Sequence, residues 1–294
     1  MSTLHENCDP NLSDSLCVLA NVCGYITNVI WVLVLLPQIV KNYRRKTTTG
    51  LSFLWASCTF FASLMNLFFI VDPLYVVPLF NKISGYFMLI PEALILLQFA
   101  LYSKASKSRK VGIALLYAVM ISAIVALECT NAFGGTARYL VLVSIALWSI
   151  ETYFQVLLNT KRRSVEGQSY ISLVLFFIGK TTEVIMQFSL KMRIEFVYMT
   201  YFSSTLVYLN FIQLIIYTQR RWYSKPVVSV LCLMLCGFIA LLILRTNVMG
   251  IFCTIGIFIL MVPAGFLVFR RESPDNSSTP SPSVAANDNK PSDV

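Results

Sequence analysis

Nine mostly apolar stretches dominate this chain: 17–38, 53–71, 83–103, 111–128, 139–158, 170–190, 195–218, 227–244 and 248–269. A helix needs roughly 20 such residues to cross the hydrocarbon core of a bilayer, about 30 Å thick. Inside lipid the backbone must satisfy its own polar groups, and a helix does so within one segment. Composition excludes the alternative of a single soluble core. The chain is 57% hydrophobic and 13% charged, with a mean hydropathy of +0.71, against roughly 45–50% and about 25% in soluble domains. The expected fold is an all-α integral membrane protein, and soluble hydrolases, kinases and DNA-binding proteins are excluded. One histidine and the absence of any Cys-x-x-Cys pair argue against a zinc site. Nothing calls for a metal, a cofactor or an enzyme activity.

The connectors are short and carry the charge. Lys41, Arg44, Arg45 and Lys46 fall on one side, with Lys104, Lys107, Arg109 and Lys110, then Lys161, Arg162 and Arg163. Arg220, Arg221, Lys225, Arg270, Arg271 and Lys290 join them, whereas the other side has Lys82, Arg138, Lys191, Arg193 and Arg245. Basic loops stay cytosolic, so nine spans predict a lumenal N-terminus and a cytosolic C-terminus. The excess of cations is thereby explained by topology and anionic lipid, with no nucleic-acid partner. The segment 272–294, rich in Ser, Pro, Asn and Asp, cannot bury enough surface to fold and is expected to be a disordered cytosolic tail. Asn11 is a glycosylation candidate on the lumenal side. Cys8, Cys17, Cys23 and Cys129 could supply one disulfide there, or remain small buried apolar residues.

A shift of 117 residues lays the segment 31–52 over 148–169 without a gap. Trp31 then meets Trp148, Gln38 meets Gln155, Asn42 meets Asn159, Arg45 meets Arg162, Gly50 meets Gly167 and Ser52 meets Ser169. The third helices align at a shift of 115, Gln98 with Gln213 and Tyr102 with Tyr217. The expected organisation is a lumenal N-terminus (1–16), a three-helix repeat (17–103) and a linker with one helix (104–135). A second repeat (136–218), two additional helices (219–271) and the tail (272–294) follow. One helix between two three-helix units leaves the units parallel, the arrangement in which transporters hold substrate near the midplane and rock.

Pro37-Gln38, followed by the basic segment 41–46 and by Thr49-Gly50-Leu51-Ser52, resembles the PQ-loop motif. The second copy, Phe154-Gln155 with the segment 159–163 and Glu166-Gly167-Gln168-Ser169, is similar but lacks the proline. The resemblance covers residues 17–218 and points to the group that includes cystinosin, lysosomal and vacuolar cationic amino-acid exporters, SWEET sugar carriers and, more distantly, KDEL receptors. It implies two parallel three-helix bundles joined by one helix. The last two helices have no counterpart in that pattern. It also implies hinges at the PQ motifs, here Pro37, Gln38 and Gln155. With Phe154 in place of the second proline, helix 17–38 is expected to bend more than 139–158.

Ionisable residues inside spans are costly and generally face a cavity or a partner. Glu92, Glu151, Lys180 and Glu183 are so placed. Lys180 and Glu183 share a helical face and can pair. The repeat sets Lys180 opposite Ser63 and Glu183 opposite Asn66, so these four are the expected substrate-binding residues. Asn66 resembles a ligand asparagine of the family, and Ser63 stands where cationic amino-acid exporters often carry Asp. Glu92, six residues before Gln98, resembles the family's proton-coupling acid; its counterpart in the second repeat is Val207. Glu151, four residues before Gln155, ranks lower as a site residue.

The expected function is alternating-access transport of a small polar metabolite across a lysosomal, vacuolar or other endomembrane, coupled to protons as a symporter. An amino acid is favoured, cationic ones included, because the site offers partners of both signs. Two alternatives remain at this point, a membrane receptor for a peptide or small ligand and a SWEET-like sugar uniporter.

Overall fold

The computed structural model describes residues 13–72, 79–131, 135–190 and 194–219. The expected helices 227–244 and 248–269, the tail, Asn11 and Cys8 lie outside the described residues. Within them, eight helices run in order: α1 (Asp14–Leu33), α2 (Leu36–Arg45), α3 (Phe53–Val71), α4 (Leu79–Tyr102), α5 (Lys107–Cys129), α6 (Thr136–Arg162), α7 (Tyr170–Ser189) and α8 (Ile194–Gln219). Seven spans among the described residues are long and apolar enough to cross a membrane, with α1 and α2 together forming the first. Cys17 is disulfide-bonded, whereas Cys23 and Cys129 are free.

The repeat is visible in how the helices start and stop. Ser52 and Ser169, equivalent in the two copies, cap α3 and α7 by accepting from the backbone N–H of Trp55 and Ser172. A serine at this position satisfies an amide that has no partner in the first turn. Lys46 and Arg163, again equivalent, end α2 and α6 in the left-handed conformation, at φ 50° and 51°.

The halves differ at the motif proline. Pro37 has no N–H to offer the carbonyl of Leu33, and the first span breaks at Val34–Leu35 before resuming as α2. Past Phe154 no such break occurs, and α6 is one helix of 27 residues. The segment 41–45, expected as loop, is helical. Gln38 and Asn42 are its buried i, i+4 face, while Arg44 and Arg45 favour the negative end of the helix dipole. Helices here outlast their apolar stretch, so a drop in hydropathy marks the membrane edge rather than the helix end.

Helix α3 packs chiefly on α6 and α1 on α7, each pair crossing between the halves. Small polar residues hold these contacts. The hydroxyls of Thr27 and Thr182 lie 2.7 Å apart, and Ser144 donates to the Ala62 carbonyl at 2.8 Å. Such bonds join helices where lipid removes the hydrophobic drive. Helix α5 stands apart, its faces lined with exposed Val111, Leu115, Leu116 and Val119. It meets α3 and α6 through buried Ile124, in a cluster with Phe61, Met65 and Leu140, and through Tyr117, which packs beside Phe53, Phe60 and Phe61 and donates to the Ser57 hydroxyl.

Candidate functional site

Helices α1, α3, α6 and α7 surround a cavity of about 250 Å³, completed by α4 and α8. It extends from Glu92, in the middle of α4, to Asn81 and Phe196 at the helix ends remote from the basic loops. Ser63, Asn66, Glu92, Lys180 and Glu183 all line it, so the five expected substrate and proton residues share one space. Glu151 lines it too and stands with them more fully than its rank in the sequence implied. Trp31 and Trp148, equivalent in the repeat, contribute aromatic walls.

Each charge has a definite setting. Glu92 is buried, and its Oε1 accepts from the Ser63 hydroxyl at 2.8 Å while Oε2 has no partner. Glu151, also buried, lies beside the Thr59 hydroxyl and has an unpartnered Oε2. Lys180 Nζ is 2.8 Å from Glu183 Oε2, and Glu183 Oε1 accepts from Thr200 at 3.0 Å. The ammonium also sits 4.9 Å from the ring centre of Trp31, within reach of a cation–π attraction. Asn28 and Gln187, which sequence reasoning did not single out, add buried unpartnered carbonyl oxygens to the same walls. No periodicity distinguishes them from other buried amides.

Toward the basic end the cavity narrows at Leu35 and Phe176, which also line a second chamber of about 20 Å³. Gln38 and Gln155 close that chamber in a crossed fashion. Gln38 Nε2 donates to the Gly167 carbonyl at 3.2 Å, and Ser169 N–H donates to Gln38 Oε1 at 2.6 Å. Reciprocally, Gln155 Nε2 donates to the Gly50 carbonyl at 3.0 Å, and Ser52 N–H donates to Gln155 Oε1 at 2.8 Å. Each glutamine thus grips the loop of the opposite repeat. It is therefore not available to the carbonyl that Pro37 frees.

Both glutamines are held by a second layer. Gln38 donates to Asn42, which donates to Gln98; Gln155 donates to Asn159, which donates to Gln213. The two relays use equivalent residues of the two copies. The loops themselves meet backbone to backbone at Gly50 and Gly167, with no room for a side chain on either. Gly50 also has φ +96°, a conformation that L side chains rarely adopt. Lys41 and Arg45, read from sequence as orientation signals, fasten this seam as well. Lys41 Nζ donates to the carbonyls of Glu166 and Gln168, both at 2.6 Å, and Arg45 donates to Glu166 at 3.1 Å.

The residues of this seam are those of the motif. The PQ loop repeat family model matches residues 19–71 and again residues 136–188. No curated protein matches the chain. With one matched copy on each side of the seam and seven apolar helices among the described residues, the chain is a multi-pass membrane protein that carries two PQ loop repeats.

Proposed function

We propose that this protein is a secondary transporter of a small polar metabolite, an amino acid in the first place and cationic ones included. It moves its substrate by alternating access between two three-helix halves in a 3+1+3 arrangement, coupled to protons through Glu92. The observation that carries this reading is a polar, charged cavity between the halves that stops at a hydrogen-bonded seam. A carrier caught closed at one end has this form. The volume supports a small substrate, since about 250 Å³ is the share of roughly eight liquid waters. Lys180, Glu183 and Asn66 supply partners for ammonium and carboxylate groups alike. Pro37, Gln38 and Gln155 are the moving parts, a break in one half and a latch shared by both. The proposed setting is an endomembrane, lysosomal or vacuolar, with the N-terminus lumenal.

Uptake into proteoliposomes under an imposed pH gradient tests the reading, with labelled amino acids screened first and sugars after them. Saturable, gradient-driven accumulation of an amino acid is the expected result. Binding without accumulation would make the cavity a receptor site. Equilibration of a sugar without a gradient would make the protein a uniporter.

A further inference from the structure

We propose that the stretch 227–244 folds back along α8 and seats on a stripe of that helix formed by Tyr201, Thr205, Leu209, Ile212 and Ile216. The stripe is thus an interaction surface whose partner is this chain's own segment, outside the described residues, and that segment belongs to the second half of the molecule. The inference stands whether or not the protein transports.

The repeat supplies its own control. At the shift of 115 residues that aligns the third helices, the five positions match Tyr86, Ile90, Leu94, Leu97 and Leu101 of α4. Steps of three and four residues place each set on one helical face. On α4 all five side chains are exposed, Ile90 at 59%, Leu94 at 42% and Leu97 at 52%, as on a face turned to lipid. On α8 the counterparts Thr205, Leu209 and Ile212 are 7%, 2% and 0% exposed, and Tyr201 is buried with them. Ile216 is partly buried.

The described neighbours do not account for the difference. Helices α6 and α7 pack on α8 as their counterparts α1 and α3 pack on α4, yet α1 and α3 leave the α4 stripe bare. Helix α5 packs elsewhere, against α3 and α6. A further element therefore covers α8, and because a single chain buries the stripe, that element is part of the chain. The residues of α8 suit a close neighbour. Thr205 stands where α4 has Ile90, and Ser204 where α4 has Leu89. The Ser204 hydroxyl is buried without a partner among the described residues. Small hydroxyl side chains let a second helix approach within a membrane.

Length and connection select the occupant. From Tyr201 to Ile216 the stripe runs about 22 Å along the helix. Outside the described residues the chain has 1–12, 73–78, 132–134, 191–193 and 220–294, and of these only the last contains apolar stretches that long, 227–244 and 248–269. The first of them follows the end of α8 at Gln219 after the short link 220–226. A link of that length sets consecutive helices side by side and antiparallel, whereas 248–269 begins a whole span further on. Cys232 and Cys236, four residues apart, share a face of the returning stretch. Position 236 lies roughly 14 Å into it and Leu209 about 15 Å back from Gln219, so the two are level. The second half is then a four-helix body and the first a three-helix one. Relative motion of the halves displaces lipid along α4 and not along α8.

The test uses the full chain in liposomes. Trypsin releases residues 194–220, which contain no natural cysteine, and residues 222–245, which contain Cys232 and Cys236. After oxidation with copper phenanthroline, Leu209→Cys should join these two peptides by a disulfide that mass spectrometry reads. Ile212→Cys, nearer the link, is the second variant and should do the same. Leu94→Cys, the α4 equivalent of Leu209, should form no link to 222–245. The unmutated chain gives an independent reading: an apolar, photoactivated carbene reagent dissolved in the bilayer should label peptide 83–104 of α4 several-fold more heavily than 194–220. Comparable labelling of the two would show α8 facing lipid and overturn the proposal. So would the absence of a link from both cysteine variants in folded protein. A link to Cys253 instead would make 248–269 the occupant, and disulfide-joined dimers would make it a second copy; either result overturns the assignment to 227–244.

Discussion

Gly167→Ala should prop open the basic end of the protein. A Cβ at Gly167 would lie 2.3 Å from the Gly50 Cα, 2.5 Å from its carbonyl carbon and 2.7 Å from the Thr49 carbonyl oxygen. All three are backbone atoms, so no rotamer change relieves the clash. Ordinary contact begins at 3.4 Å, which requires the loops to separate by about 1 Å. The four glutamine bonds across the seam, now 2.6, 2.8, 3.0 and 3.2 Å, then pass beyond bonding distance. At about 0.5–1.5 kcal/mol each, their loss removes about 2–6 kcal/mol from the closed state. With about 1.4 kcal/mol per decade, the closed-to-open ratio should fall by on the order of 30-fold or more. Ser172→Cys, beneath the latch in the small chamber, provides the reporter. A membrane-impermeant maleimide added on the basic side should label it faster in the Gly167→Ala background, above the labelling of the same chain without the reporter. Gly112→Ala in α5, where a Cβ meets nothing within 4 Å, is the control. Unchanged labelling in a folded Gly167→Ala variant would refute the glycine contact as the point of closure.

Three further outcomes follow from the same geometry. Lys41→Met removes two bonds to the 166–168 loop, so it should raise Ser172→Cys labelling, though less than Gly167→Ala because the glutamine bonds remain. Glu183→Gln leaves Lys180 buried without its carboxylate and should cost about 3–5 kcal/mol in detergent unfolding. Much of that loss should return in the Lys180→Met/Glu183→Gln double variant, and equal destabilisation of both would show that the ion pair is not the cause. Pro37→Ala restores a donor for the Leu33 carbonyl and should let α1 run on into α2, slowing counterflow exchange while leaving equilibrium substrate binding intact; full-speed exchange would remove the hinge.

Much of this was legible because duplication leaves a register. Helix α3 begins and ends at 53 and 71 as read from sequence, since Ser52 is an N-cap and Asp72 ends the apolar run. The alignment of Lys180 with Ser63 and of Glu183 with Asn66 placed four residues at one depth, and the cavity contains all four. Two things were not legible, for physical reasons. The length of α2 was hidden because charged residues leave the membrane without leaving the helix. The meeting of Gly50 with Gly167 was hidden because register says which residues are equivalent, not which equivalents lie near the axis between the copies.

The small chamber displays what that axis does. Its wall contains the equivalent pairs Leu35 and Thr152, Leu51 and Gln168, and Trp55 and Ser172. In each pair the first half contributes the apolar member and the second half the polar one. Gln38 and Gln155, which close the chamber, are the same in both halves, as are Ser52 and Ser169 whose N–H groups they accept from. Identity is retained where the halves must grip each other, because each glutamine needs the same backbone partners in the opposite loop. Divergence leaves Leu35, Leu51 and Trp55 on the first half's side of the chamber, and on the second half's side a mixed wall of Thr152, Gln168 and Ser172 with Leu173, Phe176 and Val207. A sugar, with hydroxyls on every side, would leave some of them unpaired against Leu35, Leu51 and Trp55. Under the proposed transport reading, those apolar walls set a cost on a sugar in the chamber that adds to the preference argued from the cavity.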